Sequence, residues 1–198
     1  MKIGLTGSIA CGKSTVSAYL RSLGFFVADA DAISHALTAP GGSALPLLRE
    51  AFGDGVFDGE ILSRARLGSL VFGDPAQRER LNAILHPLII GELQAQLCKA
   101  DTGGAPVFGD VPLLYECGMQ DMFDQIWVMC VPRDVQLARI IERDGLSEAD
   151  AARRIDAQMP LARKCAMADA VISTDGTIEE TQRQVLALLR DTAQRRQP

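Results

Sequence analysis

Residues Gly7-Ser8-Ile9-Ala10-Cys11-Gly12-Lys13-Ser14-Thr15 follow a short apolar run, Ile3 to Leu5, and precede Val16, Leu20 and Leu23 at helical spacing, with Gly24 placed to end that helix. This is a G-x-x-x-x-G-K-[ST] loop between a strand and a helix, and it constrains the fold more than any other part of the chain. The glycines let the backbone curl so that successive N–H groups converge on an anion, and the first turn of the next helix adds its positive dipole end. A nucleoside triphosphate is the expected ligand. Gly7, Ala10, Cys11, Gly12 and Thr15 form its cradle, Lys13 reaches the β- and γ-phosphates, and the Ser14 hydroxyl ligates Mg2+. Cys11 has two readings: a thiol whose pKa is lowered beside Lys13 at a helix start, or a small filler of the loop.

At 198 residues the chain suits one domain with a smaller insertion. With 47% apolar and 23% charged residues, and no run of about 18 apolar residues, it predicts a soluble protein that neither spans a membrane nor starts with a signal peptide. The formal charge of −5 offers no electrostatic case for a nucleic-acid partner, so anionic ligands need locally placed cations. Five cysteines, odd in number and scattered, predict neither a metal cage nor a disulfide framework and suit a reducing cytoplasm. A monomer or small homo-oligomer is expected.

Short apolar runs alternate with longer helical patterns, which predicts a parallel sheet covered by helices. The candidate strands are 2–6, 25–28, 106–110, 125–131 and 170–173. Between the second and third lies a long helical section, residues 33–102, far larger than an ordinary crossover and read as an inserted substrate-binding region. Within it Asp74 caps a helix with Pro75 at its first position, and Leu81, Ile84, Leu85, Leu88 and Ile89 form one apolar face. Pro87 is expected to kink that helix or to start a new one. Ser147-Glu148-Ala149-Asp150 and Thr177-Ile178-Glu179-Glu180 fit capping boxes. The tail from Gln194 to Pro198 is expected to fray.

A phosphate loop alone does not separate a kinase from a switch GTPase or a motor ATPase, so the remaining polar clusters must. Asp29-Ala30-Asp31 sits at the end of the second candidate strand, where open α/β sheets bind ligands. In extended chain both carboxylates point to one side, so one could take a proton from an attacking hydroxyl while the other organises Mg2+ water or substrate. The same residues also fit a polar turn with Asp31 capping a helix near Ala32, and the pattern leaves both readings open. Asp110, ending the strand Val107-Phe108-Gly109, is placed for the water shell of Mg2+; a strand-end Asp satisfied by turn amides is the alternative. Arg139 and Arg143 share a helix face, with Arg153, Arg154 and Lys164 beyond a break at Asp144-Gly145. These cations read either as a lid closing over a transferred phosphoryl group or as a solvated face paired with Glu142 and Asp144.

Taken together these residues resemble the dephospho-CoA kinase family from Ile3 to about Gly176. The resemblance lies in Thr6 to Thr15, Asp29-Ala30-Asp31, Leu85-His86-Pro87-Leu88-Ile89, Asp110-Val111-Pro112-Leu113-Leu114 with Glu116, and Arg143-Asp144-Gly145-Leu146-Ser147. Arg139, Arg154-Ile155, Gln158-Met159-Pro160 and Lys164 belong to the same pattern. It implies a three-layer α/β/α P-loop kinase with a five-stranded parallel sheet and MgATP-dependent phosphorylation of the ribose 3′-hydroxyl of dephospho-CoA. It further implies a core of 1–32, 103–138 and 165–198, a CoA-binding helical insertion over 33–102 and a helical lid over 139–164. By the same resemblance Asp31 is the base, with Lys13 and Arg143 also catalytic. Arg139 and Arg143 bind nucleotide, and Asp29, His86, Asp110 and Leu113 contact the acceptor. The chain departs from the family pattern in three ways. Ser8 and Ala10 stand where the loop usually has more glycine, Ser63 replaces an acidic or amide residue before Arg64, and Thr174 replaces an Asn before Asp175-Gly176.

Overall fold

A computed structural model describes residues 1–194; of the tail expected to fray, all but Gln194 lies outside them. Five strands form the main sheet: β1 (Lys2–Gly7), β2 (Val27–Asp29), β5 (Val107–Asp110), β6 (Gln125–Cys130) and β7 (Ala170–Ser173). Their order is β2-β5-β1-β6-β7, the sheet is parallel, and helices cover both faces. Each strand lies within a residue or two of the run that suggests it. The loop strand β1 is central: Leu5 stands level with Asp110 of β5 and with Trp127 of β6. Two further strands, β3 (Phe57–Asp58) and β4 (Ile61–Leu62), make a small antiparallel hairpin that no pattern foretells. Two residues per strand are too few for alternation to register, and Gly59 takes φ 62° in the turn.

The helices are α1 (Lys13–Ser22), α2 (Ala30–Leu37), α3 (Leu45–Phe52), α4 (Arg64–Phe72), α5 (Pro75–Ala100), α6 (Arg133–Asp144), α7 (Glu148–Asp156), α8 (Leu161–Ala166) and α9 (Ile178–Gln194). Their starts follow local chemistry. Asp74 Oδ1 accepts from the N–H groups of Ala76 and Gln77, ahead of Pro75. Thr177 Oγ1 accepts from the Glu180 N–H at 3.2 Å while the Glu180 carboxylate accepts from the Thr177 N–H at 2.9 Å, a reciprocal capping box. Ser63 Oγ accepts from the Arg66 N–H, so the serine in the departing position caps α4. The expectation for Pro87 is corrected in one respect: α5 runs through it for 26 residues and no new helix begins there. An interior proline costs about 3 kcal/mol, and apolar packing before and after it, at Leu81, Ile84, Leu85 and Leu88, offsets that.

The described residues form two compact units, Met1–Ala28 with 97–194, and Asp29–Gln96. The first has the sheet core of Ile3, Leu5, Val16, Leu20, Phe108, Trp127, Met129 and Ile172, all essentially unexposed. Its large rings meet edge to face, Phe108 against both Phe25 and Trp127 at 5.6 Å between centroids. The second unit packs α3, α4 and the hairpin around Ala44, Leu48, Val56, Phe57, Leu62 and Leu67.

Candidate active site

The phosphate loop emerges from β1 with two residues in the left-handed region, Ala10 at φ 58° and Gly12 at φ 79°. Glycine takes that conformation freely, whereas for Ala10 it costs about 1 kcal/mol, the strain that a glycine-poor loop must carry. Gly7 is needed for space: an added Cβ would collide with the Cys11 sulfur. Gly12 is the N-cap of α1, and no side-chain hydrogen bond from it caps that helix. Lys13 lies at the first position of α1 and its ammonium pairs with the buried carboxylate of Asp110. Ser17, one turn along the same face, donates to the other oxygen of Asp110 at 2.5 Å. Asp110 is therefore held by two side chains of α1 rather than by turn amides. Ser14 and Thr15 are exposed on the first turn.

Distant polar residues hold the loop from beneath. Gln136, 2% exposed on α6, donates through Nε2 to Ser8 Oγ at 2.8 Å and to the Ile9 carbonyl at 2.6 Å. Gln158 Oε1 accepts from Ser8 Oγ at 3.0 Å and from the Ile9 N–H at 2.9 Å. Thr174 follows β7; its hydroxyl donates to the Cys11 carbonyl at 2.8 Å, and its side chain lies 3.1 Å from where a Cβ on Gly12 would stand. Arg139 donates to the Thr174 carbonyl at 2.5 Å and to the Ala10 carbonyl at 3.4 Å. Of these supports, Gln136 and Ser17 escaped the sequence reading. Ser17 was within reach, since it stands four residues after Lys13 on one helix face; Gln136 carried no local signal.

A cavity of about 500 Å³ opens at the loop mouth, lined by Ala10, Gly12 and Ser14, by Arg139 and Arg143 of α6, and by Thr174 and Gly176. Arg143 is exposed there and makes two bonds to Asp144, at 2.7 and 3.0 Å; Arg154 reaches the same carboxylate at 3.0 Å. Hydrogen bonding from Arg143, with the charge of Arg154 adding to it, holds the Asp144 carboxyl below its usual range.

Several expectations change. Asp29, not Asp31, caps α2: its Oδ1 accepts from the N–H groups of Asp31 and Ala32. Asp31 lies in the first helical turn and is exposed, so the two carboxylates do not share the face of an extended strand. Lys164, grouped by the sequence with the lid cations, is wholly buried. Burial pushes the Cys11 thiol up, and the nearby Lys13 does not reverse it, so Cys11 is a filler of the loop and not an activated thiol. His86 is half-buried on α5 before Pro87, and Leu113 is exposed just after β5.

The loop, the sheet order and the layered helices are those of a P-loop kinase. Shikimate kinase from Acinetobacter baumannii shares that fold, with a TM-score of 0.54 at 19% identity over 96% of this chain and 93% of that one. The dephospho-CoA kinase from Campylobacter jejuni matches more closely, with a TM-score of 0.73 at 26% identity over 97% of this chain and all of that one. The family model described as dephospho-CoA kinase matches residues 1–180. A relative named dephospho-CoA kinase, from Geobacillus kaustophilus, is 46% identical over 193 residues, 96% of each chain. The chain belongs to the dephospho-CoA kinase family and is an ATP-dependent phosphotransferase.

Proposed function

We propose that the protein transfers the γ-phosphoryl group of ATP to the ribose 3′-hydroxyl of dephospho-CoA, giving CoA and ADP in the final step of coenzyme A synthesis. The observation that carries the site assignment is the cavity at the loop mouth, where loop residues, Arg139, Arg143 and the Thr174–Gly176 turn converge. Its size suits a nucleoside with its phosphates running into the loop. Gly7, Ala10, Cys11, Gly12, Lys13, Ser14 and Thr15 take the phosphate chain, and Arg139, already fixed against two carbonyls, lines the nucleotide. Arg143 is catalytic: its surface pair with Asp144 costs little to break, which leaves the guanidinium able to follow the transferred group.

The residues present suit Mg2+. No group of three or more His, Cys, Asp or Glu side chains among the described residues forms a metal cage, and Mg2+ in kinases needs none, because phosphates and water supply most of its ligands. Ser14 would bind the ion directly and Asp110 through water, using the lone pairs that Lys13 and Ser17 leave open. When bound, Mg2+ neutralises charge on the phosphates.

Asp31 stands exposed just beyond the carboxyl end of β2 and serves as base: the acceptor oxygen attacks the γ-phosphorus, the bond to the ADP oxygen breaks, and the hydroxyl proton passes to the carboxylate. Asp29, His86, Asp110 and Leu113 contact dephospho-CoA, with 33–102 as the acceptor-binding insertion and 139–164 as the lid region, anchored to the loop at Gln158 and Lys164. The odd count of scattered thiols fits a cytoplasmic enzyme, working as a monomer or small homo-oligomer.

The test is ADP release from MgATP with and without dephospho-CoA, with mass spectrometry of the acceptor. Strict acceptor dependence and a gain of one phosphate are expected; hydrolysis without acceptor would overturn the assignment. Asp31→Asn should lower kcat by about 10²-fold or more with ATP affinity little changed. An unchanged kcat removes Asp31 from the role of base.

A further inference from the structure

We propose that Lys164 is a positioning residue for phosphoryl transfer, setting the geometry of the phosphate loop from beneath without touching the nucleotide. Its side chain has no exposed surface. An ammonium has three protons, and all three have partners: the Gly7 carbonyl at 2.9 Å, the Pro112 carbonyl at 3.1 Å and Glu116 Oε1 at 2.8 Å. No proton is left for a phosphate, so the role of Lys164 is structural support of the cradle and not ligation.

The identity of those acceptors carries the inference. Gly7 is the last residue of β1, and its carbonyl belongs to the peptide from which the loop departs. Pro112 lies two residues beyond Asp110, in the turn that follows β5, and its carbonyl also accepts from the Thr6 hydroxyl at 3.1 Å. One ammonium therefore ties the start of the phosphate loop to the turn behind the carboxylate that pairs with Lys13. The distance between these two parts is what phosphoryl transfer requires to be constant, since catalysis of this kind is positioning more than bond chemistry.

The surrounding bonds agree. Gln158, six positions before Lys164 in the chain, holds Ser8 and Ile9, and the Glu116 carboxylate also accepts from the Met159 N–H at 3.0 Å. The segment from Gln158 to Lys164 thus grips three consecutive loop residues, Gly7 to Ile9. An ammonium buried against two backbone carbonyls and a partly exposed carboxylate adds little stability over an apolar side chain of the same shape, while it admits few alternative geometries. That balance favours a positioning role over a stabilising one.

The proposal rests on the loop holding the triphosphate, and wild-type ATP binding in the same experiments tests that separately. Lys164→Met and Glu116→Gln are compared with wild type for tripolyphosphate affinity, for KM of ATP and of dephospho-CoA, and for folding by circular dichroism. Lys164→Met should weaken tripolyphosphate binding and raise KM for ATP at least tenfold, with KM for dephospho-CoA within twofold. Glu116→Gln keeps both carbonyl bonds and should change KM for ATP less than threefold. A folded Lys164→Met enzyme with unchanged ATP binding, or one with equal losses for both substrates, overturns the proposal. So that the outcome does not hang on the variant folding, the 15Nζ signal of Lys164 is followed in unaltered protein. It should shift when tripolyphosphate is added; a signal indifferent to tripolyphosphate overturns the proposal whatever the variants do.

Discussion

Lys164, with no exposed side-chain surface, gives all three of its protons to fixed acceptors, while Arg143 and Arg154, with side chains 58% and 52% exposed, share the single carboxylate of Asp144. The charge is the same and the freedom is opposite. Moving Lys164 would leave its own ammonium, which has no exposed surface, and the Gly7 and Pro112 carbonyls without their partners. Moving Arg143 exchanges one exposed partner for solvent at little cost. The phosphate loop is thus held by residues that cannot rearrange, and the guanidinium groups beside it by residues that can. A site of this kind combines a rigid cradle with cations free to follow charge as it develops.

That contrast can be sharpened by substitutions read on one scale, urea unfolding. Thr174→Val should show the largest loss of the three, about 1–3 kcal/mol, because it removes the hydroxyl bonded to the Cys11 carbonyl and keeps the shape. An unchanged midpoint would mean that the loop is not fixed from that side. Ala10→Gly should raise stability by up to about 1 kcal/mol, since relief of the φ 58° conformation outweighs the added freedom of the unfolded chain; a decrease would show that the loop bears no strain at that residue. Asp144→Asn should leave the midpoint at pH 7 within the scatter of the measurement, and a large loss would break the comparison outright. Its pH dependence has a defined sign. The Asp144 carboxyl is held low by Arg143 and Arg154, so what the pair contributes is present above about pH 4 and lost as pH falls through the depressed value. Any excess of wild type over variant should therefore shrink in acid, and midpoints measured from pH 3 to 7 that separate as pH falls would contradict this sign.

Local chemistry was legible where the partners lie within a turn of one another. The loop from Gly7 to Thr15, the caps at Asp74 and Thr177, and the five sheet strands all follow from residues close in sequence. What the local pattern left open or misplaced has a different cause. A cap at Asp31 stayed open because Asp29 and Asp31 are alike in chemistry; which of them bonds the first N–H groups of α2 depends on where β2 ends. Lys164 looked like one more cation after Arg153 and Arg154, since charge alone does not show whether a side chain faces water. Cys11 beside Lys13 had two readings, and its burial decides for the loop filler, with the thiol held protonated. The hairpin of β3 and β4 is too short to carry a period at all.

By itself the sequence determined the strand-loop-helix unit that binds phosphate, the alternation that makes a parallel sheet, and the family to which the chain belongs. The first two rest on spacing along one stretch of backbone, where geometry is set by neighbours a few residues away, and the family rests on the resemblance of motifs spread from Thr6 to Lys164. Only the tertiary structure decided that Lys13 and Ser17 meet Asp110 and that Gln136, Gln158, Lys164 and Thr174 hold the loop. Those partners are brought together by strand pairing and burial. A buried polar group must find its partner wherever the fold places one, and no local spacing encodes that choice.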